Sequence, residues 1–298
     1  METLRTVGEL HRFSEAVRGR GGRLALVPTM GCLHAGHLAL VAEARRRADA
    51  VVVSIFVNPT QFGPGEDFES YPRTLEVDLG KCRAAGVDAV FAPPVEELYP
   101  PGASTTVEVA GLSEGLCGRS RPTHFRGVAT VVAKLLCAAR PDVACFGEKD
   151  YQQLAVVRRL TRDLCLPTEI VGVATVREPD GVALSSRNLR LRPDARREAR
   201  VLVRALEAAE ALVAAGERRR EAVLAAVRVE LAKAPSAEVD YAELVDAASL
   251  EPAPELLRVP TLLALAVRFP SREGPGAPPV RLIDNRVLRP ECAAEEPS

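Results

Sequence analysis

The sequence predicts a two-domain α/β protein, in which a parallel sheet with helices on both faces is followed by a smaller α+β domain. Through about residue 175, short β-branched runs alternate with helical patterns, which is typical of a parallel sheet with crossover helices. One run, Val51–Val57, is continuously apolar, as expected of a strand buried on both faces. After Arg187 the chain becomes rich in Ala, Arg and Glu with apolar residues at helical spacing, which indicates a second domain.

The elements of the first domain follow one another in a regular order. A candidate edge strand, Thr105–Val109, lies outside that order. Two long segments rich in Gly, Pro and polar residues, Asn58–Pro72 and Ala110–Arg126, interrupt it. Because loops of this length in a compact domain are usually functional or disordered, we expect both to cover a substrate. We expect strands at Leu24–Val27, Val51–Val57, Asp88–Ala92, Val143–Phe146 and Glu169–Val173, and helices at His37–Ala48, Gly127–Ala139 and Tyr151–Leu164.

The second domain has its helices before its strands. Its helices are predicted at Pro193–Ala215 and Glu217–Ala234, and the strands of a small separate sheet at Glu238–Val245, Leu262–Phe269 and Val280–Arg286. The predicted boundaries are therefore 1–176 for the first domain and 177–290 for the second. Residues 291–298 are predicted to form a disordered tail.

Charge and cysteine content exclude several classes of protein. Lys and Arg number 39 and Asp and Glu number 40, so the chain is not a polycation built for nucleic acid or an anionic membrane. The seven cysteines are odd in number and form no CxxC pair, which argues against a disulfide scaffold or a zinc site. No signal-peptide segment is evident and the apolar runs are too short to span a bilayer, so we expect a cytoplasmic protein with free thiols.

The segment PTMGCLHAGH, from Pro28 to His37, follows the first predicted strand and opens the first helix. Ligands of open α/β sheets lie at the carboxyl ends of strands, and a helix N-terminus offers unpaired N–H groups to phosphate. Gly31 and Gly36 let the backbone approach a ligand closely. His34 and His37 share a helix face and are candidates to donate hydrogen bonds to a triphosphate. A metal-binding pair and two core histidines are the competing interpretations.

A second strand-to-helix junction carries the motif FGEKDYQQ, from Phe146 to Gln153. Lys149 is a compact cation suited to phosphate oxygens. Asp150 is placed to cap the following helix and could bind ribose or magnesium. The alternative is a cluster of solvated charges.

Two further groups of polar residues point to anionic or hydroxylated ligands. Ser185, Ser186 and Arg187 combine hydroxyls with a guanidinium and form a candidate phosphate clamp, although serine-rich linkers are common. Gln61 and Gln153 follow strands and offer uncharged amides to hydroxyl and carboxylate groups. They could equally be ordinary turn residues. The RPTHF motif, which begins at Arg121, either helps to hold an anion or keeps its loop soluble.

Taken together and in order over residues 28–188, PTMGCLHAGH, FVNPTQF, YPRT, RPTHF, FGEKDYQQL and SSRN resemble the pantothenate synthetase family. The family belongs to the nucleotidyltransferases with a His-x-Gly-His motif. The resemblance implies a Rossmann-like first domain, a smaller lid domain and a homodimer. It also implies that ATP and Mg²⁺ are used to join pantoate to β-alanine through a pantoyl adenylate, releasing pyrophosphate and AMP.

The resemblance also implies roles for individual residues. His37 takes the family's catalytic label, and His34, Lys149, Ser185, Ser186 and Arg187 are counted with it. Gln61 and Gln153 are expected to contact pantoate, Gln61 also β-alanine, with Asn58 and Arg121 beside them. Asp78 and Asp150 lie where the family places acidic residues near magnesium. The expected ATP contacts are Met30, Gly31, Cys32, Leu33, His34, Ala35, Gly36, His37, Gly147, Glu148, Lys149, Asp150, Val176, Leu184, Ser185, Ser186 and Arg187.

Two positions depart from the family pattern, and two other functions compete with it. Leu184 stands where the family often has Met, and Ala35 where it has an acidic residue; the first exchange conserves volume and the second falls on a variable position. A cofactor adenylyltransferase would share the His-x-Gly-His motif but would not need the two glutamines or the RPTHF loop. A nucleotide-binding regulator without activity would not need the intact polar motifs, and AMP formation would distinguish it.

Overall fold

A computed structural model of the chain describes residues 1–63, 68–69, 71–274 and 276–290. The chain divides into two compact units, Met1–Thr175 and Val176–Ser298. The predicted disordered tail and part of the predicted loop Asn58–Pro72 lie outside the described residues. Within the described ranges, no helix is both long enough and apolar enough to cross a membrane.

The first unit is built around a six-stranded sheet whose neighbouring strands run parallel, as predicted. Its strands are β1 (Glu2–Leu4), β2 (Leu24–Thr29), β3 (Ala50–Ile55), β4 (Ala89–Phe91), β5 (Val143–Gly147) and β6 (Glu169–Val173). Its helices are α1 (Val7–Gly19), α2 (Ala35–Arg47), α3 (Leu75–Ala84), α4 (Val95–Leu98), α5 (Cys117–Ser120), α6 (His124–Ala139) and α7 (Tyr151–Asp163).

The strand order creates a binding crevice at the carboxyl ends of two central strands. The order is β1-β4-β3-β2-β5-β6, so the chain leads away from β2 to one side and from β5 to the other. Ligands of open parallel sheets bind where the strand order reverses in this way. The predicted motifs PTMGCLHAGH and FGEKDYQQ leave β2 and β5 at this crevice, while FVNPTQF leaves β3 next to it.

Side chains that avoid water hold the two central strands in place. Leu24 to Val27 are fully buried, and β2 pairs in register with β3, Val27 lying opposite Val53. Such apolar runs stabilise a sheet only when helices cover both faces. The loops that follow these strands therefore begin at fixed backbone positions.

Several details of the first unit differ from the sequence prediction. The prediction omits β1 and the helices α1, α3, α4 and α5, although Thr6 and Glu9 form a capping box at the start of α1. The prediction of an edge strand at Thr105–Val109 is wrong, because these residues, all of them described, form no strand. Instead of a strand ladder, the Val107 amide donates to the Thr130 hydroxyl at 2.9 Å, and that hydroxyl donates to the Val107 carbonyl at 3.4 Å.

The second unit packs helices on a three-stranded antiparallel sheet, whose strands lie side by side in chain order. The single predicted helix Pro193–Ala215 is divided into two, because the Leu202 amide bonds to the Ala199 carbonyl three residues back and tightens the turn there. Apolar faces of the helices and of the central strand form its core. Its elements are α8 (Pro193–Glu198), α9 (Val201–Ala214), α10 (Arg220–Leu231), β7 (Glu238–Asp246), β8 (Thr261–Phe269) and β9 (Val280–Leu288).

Candidate active site

The loop from β2 to α2 has a backbone that only a few residue types tolerate. Gly31 has a φ of +85°, and Cys32 follows with a φ of +50°. A Cβ on residue 31 would lie 3.1 Å from Asp78 Oδ2, so glycine avoids a tight contact as well as backbone strain. The Thr29 hydroxyl accepts a bond from the Gly31 amide at 3.2 Å and fixes the exit from β2.

The two imidazoles at the start of α2 are fixed in one tautomer by the backbone. His34 Nδ1 accepts the Gly36 amide at 3.1 Å, and His37 Nδ1 accepts the His34 amide at 3.2 Å, a reciprocal cap of the helix. An Nδ1 that accepts a hydrogen bond carries no proton, so a neutral ring must carry its proton on Nε2. The ring centroids lie 4.1 Å apart, so the two rings, each with an Nε2–H donor, form one compact pair.

Burial keeps both rings uncharged. It lowers the pKa of His37 to about 3, and the neighbouring His34 and the charges of Lys149 and Lys81 act in the same direction. The pKa of His34 is lowered chiefly by burial and further by Lys149 and Lys81, while Asp150 opposes the shift in both rings. At neutral pH the pair consists of neutral hydrogen-bond donors rather than acids.

Most of the amides that were expected to be free for phosphate already have partners. The Cys32 amide donates to Asp78 Oδ2 and the Leu33 amide to Asp78 Oδ1, both at 2.8 Å, so the carboxylate fills the concavity that the two amides form. The amides of residues 31, 34 and 36 bond within the loop. The prediction of unpaired N–H groups was wrong for these residues, because the loop uses them to hold its own shape.

The second junction presents its charges differently. A short 3-10 turn, Glu148–Asp150, links β5 to α7, and Asp150 makes no side-chain cap bond to the helix. Asp150 is exposed and Lys149 half-buried. Their opposing effects on the pKa of His34 place both charges near the imidazole pair. The first two predicted motifs therefore come together at the crevice between β2 and β5.

Gln61 lies in a cluster that fixes the direction of its amide. Asn58 Nδ2 donates to Gln61 Oε1 at 3.1 Å, so Gln61 Nε2 points the other way, to Met30 Sδ at 2.9 Å. Asn58 also donates to the Gly127 carbonyl and accepts the Tyr99 hydroxyl at 2.9 Å. The bonds of Asn58 favour a supporting role rather than the predicted substrate contact, which stays a prediction.

The turn that carries Gln61 rests directly on α6. His124 Nδ1 lies 2.9 Å from the Gln61 carbonyl oxygen, and Arg121 donates to the same oxygen at 3.4 Å. A Cβ at Gly127 would lie 2.3 Å from the Thr60 oxygen and 2.6 Å from Gln61 Cα. The structure thus brings Arg121 to the backbone of Gln61, and it adds Gly127, whose missing side chain allows the turn to meet α6.

The adjacent glutamines of α7 have different environments. Gln152 is buried and holds the long loop: Oε1 accepts the Cys117 amide at 3.0 Å, while Nε2 donates to the Leu112 and Gly115 carbonyls. Gln153 is half-buried. The sequence singled out Gln153 and missed Gln152, because two adjacent glutamines on a helix carry no signal that tells a loop anchor from a ligand contact.

In the second unit, the serine motif closes a hairpin. The Leu184 amide bonds to the Val176 carbonyl, which pairs two predicted ATP contacts, and the Ser185 hydroxyl accepts the Arg187 amide at 3.3 Å. Asn188 is buried behind them and donates to Glu178 and to the Ala183 carbonyl. Arg196 binds Glu178 at 2.6 Å. Within this unit the motif therefore has a braced backbone, and its contact with ATP stays a prediction.

Comparison with known proteins identifies the family. The family model described as pantoate-beta-alanine ligase matches residues 2–287. Pantothenate synthetase of Myxococcus xanthus is 54% identical over 96% of this chain and 95% of its own. Among solved structures, pantothenate synthetase of Thermus thermophilus is 49% identical with a TM-score of 0.88, over 97% of this chain and 100% of that one. Pantoate-beta-alanine ligase of Francisella tularensis, complexed with beta-gamma ATP and beta-alanine, is 30% identical with a TM-score of 0.75, over 96% and 97%. The resemblance seen in the sequence is confirmed, and the chain belongs to the pantoate-beta-alanine ligase family.

Proposed function

We propose that this chain joins pantoate to β-alanine at the expense of ATP, through a pantoyl adenylate. A pantoate carboxylate oxygen attacks the α-phosphorus, and the bond from that phosphorus to the bridging oxygen breaks to release pyrophosphate. The β-alanine amine then attacks the acyl carbon, loses a proton, and displaces AMP. Neither step needs a nucleophile from the protein, so positioning and charge stabilisation carry the rate.

One observation carries this proposal: the neutral imidazole pair that points two Nε2–H donors from the loop after β2. During attack at the α-phosphorus, negative charge grows on the phosphoryl oxygens, and donors already in place stabilise it without reorganisation. His37 then acts as a hydrogen-bond donor and not as an acid, since its pKa is near 3. Lys149 adds a positive charge beside the pair.

The direction of the Gln61 amide supports its role toward pantoate. Because Asn58 occupies Gln61 Oε1, the Nε2 hydrogens are presented as donors near Met30. A donor suits the carboxylate or hydroxyl oxygens of pantoate. Gln153 and Arg121 are proposed for the same substrate. The description of the Francisella relative, which names beta-alanine and beta-gamma ATP, supports the choice of amine and nucleotide.

The acidic residues fit a magnesium ion that arrives with ATP. No group of three or more His, Cys, Asp or Glu side chains arranged for a metal occurs in the described part of the chain. Mg²⁺ commonly uses only one or two carboxylates together with substrate phosphates and water. Asp150, exposed beside the imidazole pair, fits that pattern better than Asp78, whose two oxygens accept hydrogen bonds. When bound, Mg²⁺ would neutralise charge on the pyrophosphate leaving group.

Other parts of the proposal rest on the family resemblance. They are the phosphate clamp of Ser185, Ser186 and Arg187, the lid role of the second unit, the homodimer and the cytoplasmic location. The hydrogen bonds that brace the serine motif support a binding role for it.

Product analysis with ATP, pantoate, β-alanine and Mg²⁺ tests the function. We expect AMP, pyrophosphate and pantothenate in equal amounts. Labelled pyrophosphate should exchange into ATP when pantoate is present and β-alanine is absent, because adenylation does not need the amine. Release of ADP would contradict the adenylate route. A dinucleotide product formed from a nucleotide-like substrate would instead favour the cofactor adenylyltransferase.

A further inference from the structure

The loop after β2 depends on support from outside itself. Its two consecutive residues with positive φ, Gly31 and Cys32, hold the amides of residues 32 and 33 in a shared direction. A non-glycine residue in that conformation is strained and persists only where its surroundings enforce it. The orientation of His34 and His37 follows from this backbone, since both rings bond to loop amides.

Helix α3 supplies that support through a buried carboxylate. Asp78 is fully buried, and its oxygens accept the Cys32 and Leu33 amides at 2.8 Å and the Thr74 hydroxyl at 3.0 Å. A charged group without water costs several kcal/mol unless donors surround it. Here two of the three donors are loop amides, so the charge is fully stabilised only while the loop keeps its shape.

The same helix holds the other side of the Leu33 peptide. Lys81 lies three residues after Asp78 on one face of α3, and its Nζ donates to the Leu33 carbonyl at 2.5 Å. The N–H of Leu33 is thus bonded by a carboxylate and its C=O by an ammonium. The residue just before His34 is fixed from both directions.

We propose that Asp78 is a positioning residue for adenylation, which orients the His34–His37 pair through the Cys32 and Leu33 amides, with Lys81 completing the support. The inference rests on the proposed function. It assigns to Asp78 a role that differs from the magnesium contact expected from the family resemblance. A residue that acts only through the imidazoles loses part of its effect when one of the two imidazole donors is gone.

A double-mutant cycle tests this directly. Asp78→Asn places an amide N–H against a backbone N–H and should slow pantoate-dependent pyrophosphate exchange by about 10- to 100-fold. In a His37→Asn background, where one of the two Nε2–H donors is already missing, the same change should cost at least about threefold less than in the wild type. Asp88→Asn is the matched control, because Asp88 also accepts a backbone amide, that of Val51 at 2.8 Å, at the opposite end of the strands. It should leave the exchange rate unchanged in both backgrounds.

Several outcomes would overturn the proposal. An equal loss in both backgrounds would mean that Asp78 acts independently of the pair. Restoration of the Asp78→Asn rate by excess Mg²⁺ would indicate a metal contact instead. If Asp78→Asn does not fold, Lys81→Met serves in the same cycle, with an expected loss of about 5- to 20-fold that again shrinks in the His37→Asn background.

Hydrogen exchange separates a failure of this inference from a failure of the proposed function. If the wild-type chain shows neither pantothenate formation nor pyrophosphate exchange, the proposed function fails first. The support can still be judged from the backbone amides of residues 32 and 33. They should exchange at least tenfold faster in Asp78→Asn, or in Lys81→Met if the former is unfolded, and unchanged protection in the folded variant would refute the proposal.

Discussion

The junctions after β2 and β5 face the same crevice but are built on different principles. After β2, the imidazoles of His34 and His37 cap the helix through Nδ1, and a neighbouring helix holds the loop. After β5, Lys149 lies in a short 3-10 turn, and the Asp150 side chain does not cap its helix. The difference follows from chemistry. An imidazole donates in one direction and must be oriented, whereas an ammonium on a flexible stem is a point charge that needs only to reach its target.

The prediction with the largest expected effect distinguishes the roles of the two ring nitrogens of His37. An Asn side chain places a polar group near the position of Nδ1, and a Gln side chain places an N–H near that of Nε2. We expect His37→Asn to slow pyrophosphate exchange by about 10²–10³-fold, since it lacks the donor toward phosphate. His37→Gln should lose less activity but more stability, because it lacks the cap, at a cost of about 1 kcal/mol. Pyrophosphate-exchange rates and denaturant titrations of both variants test this ranking. If His37→Gln were the slower variant, the cap would matter more to the rate than the donor.

Removing or keeping the positive charge at position 149 tests the junction after β5. Lys149→Ala should slow exchange by about 10²-fold, while Lys149→Arg should recover most of that loss because a point charge tolerates a change of shape. Tm should stay within about 1 °C of the wild type in both. If Lys149→Arg is as slow as Lys149→Ala, the second junction also depends on orientation, and the contrast between the junctions fails.

The adjacent glutamines of α7 extend the comparison to pantoate. Gln153→Ala should raise the KM for pantoate about tenfold and leave that for ATP and the Tm unchanged, since one ligand contact is worth about 1–3 kcal/mol. Gln152→Ala removes three hydrogen bonds to the long loop and should lower Tm by several degrees, at about 2–4 °C per kcal/mol. Kinetics with each substrate varied in turn, together with thermal unfolding, test both predictions. A lower Tm for Gln153→Ala and a higher KM for pantoate in Gln152→Ala would show that the two roles are reversed.

The smallest effect concerns pH. The pKa of His37 is lowered to about 3 in the fold against about 6.5 in the unfolded chain. The unfolded chain therefore binds more protons between these values, and His37 contributes stability above pH 6.5 that is lost as the pH falls toward 3. In His37→Gln, the fall of unfolding free energy from pH 7 to pH 5 should be shallower than in the wild type, and an unchanged slope would contradict a neutral buried His37.

The fold and the motifs could be read from the sequence because they depend on local pattern. Continuous apolar runs identified the central strands, and the resemblance named the residues of the crevice. The three-residue strand β1 was missed because so short a run has no period. The start of α1 carries a local signal, a Thr followed three residues later by Glu, which is typical of a capping box.

Support for the site could not be predicted in the same way, since it joins residues far apart in the chain. Asp78 reaches residues 32 and 33 across 45 positions or more, and nothing local in α3 indicates which amides it meets. The helix amides that the motif predicted to be free likewise donate hydrogen bonds to partners that are evident only in the folded chain. A motif names the groups that act, whereas tertiary contacts decide which of their atoms are still available.

The backbone contact at Gly127 limits which residue this position can hold. Helix α6 and the turn that carries Gln61 meet backbone to backbone, so peptide groups, which are the same in every chain, set their separation. Adding even one methyl group at Gly127 would displace Gln61 and the helix together. Any replacement of Gly127 would therefore disturb this pocket even if every neighbouring side chain stayed the same.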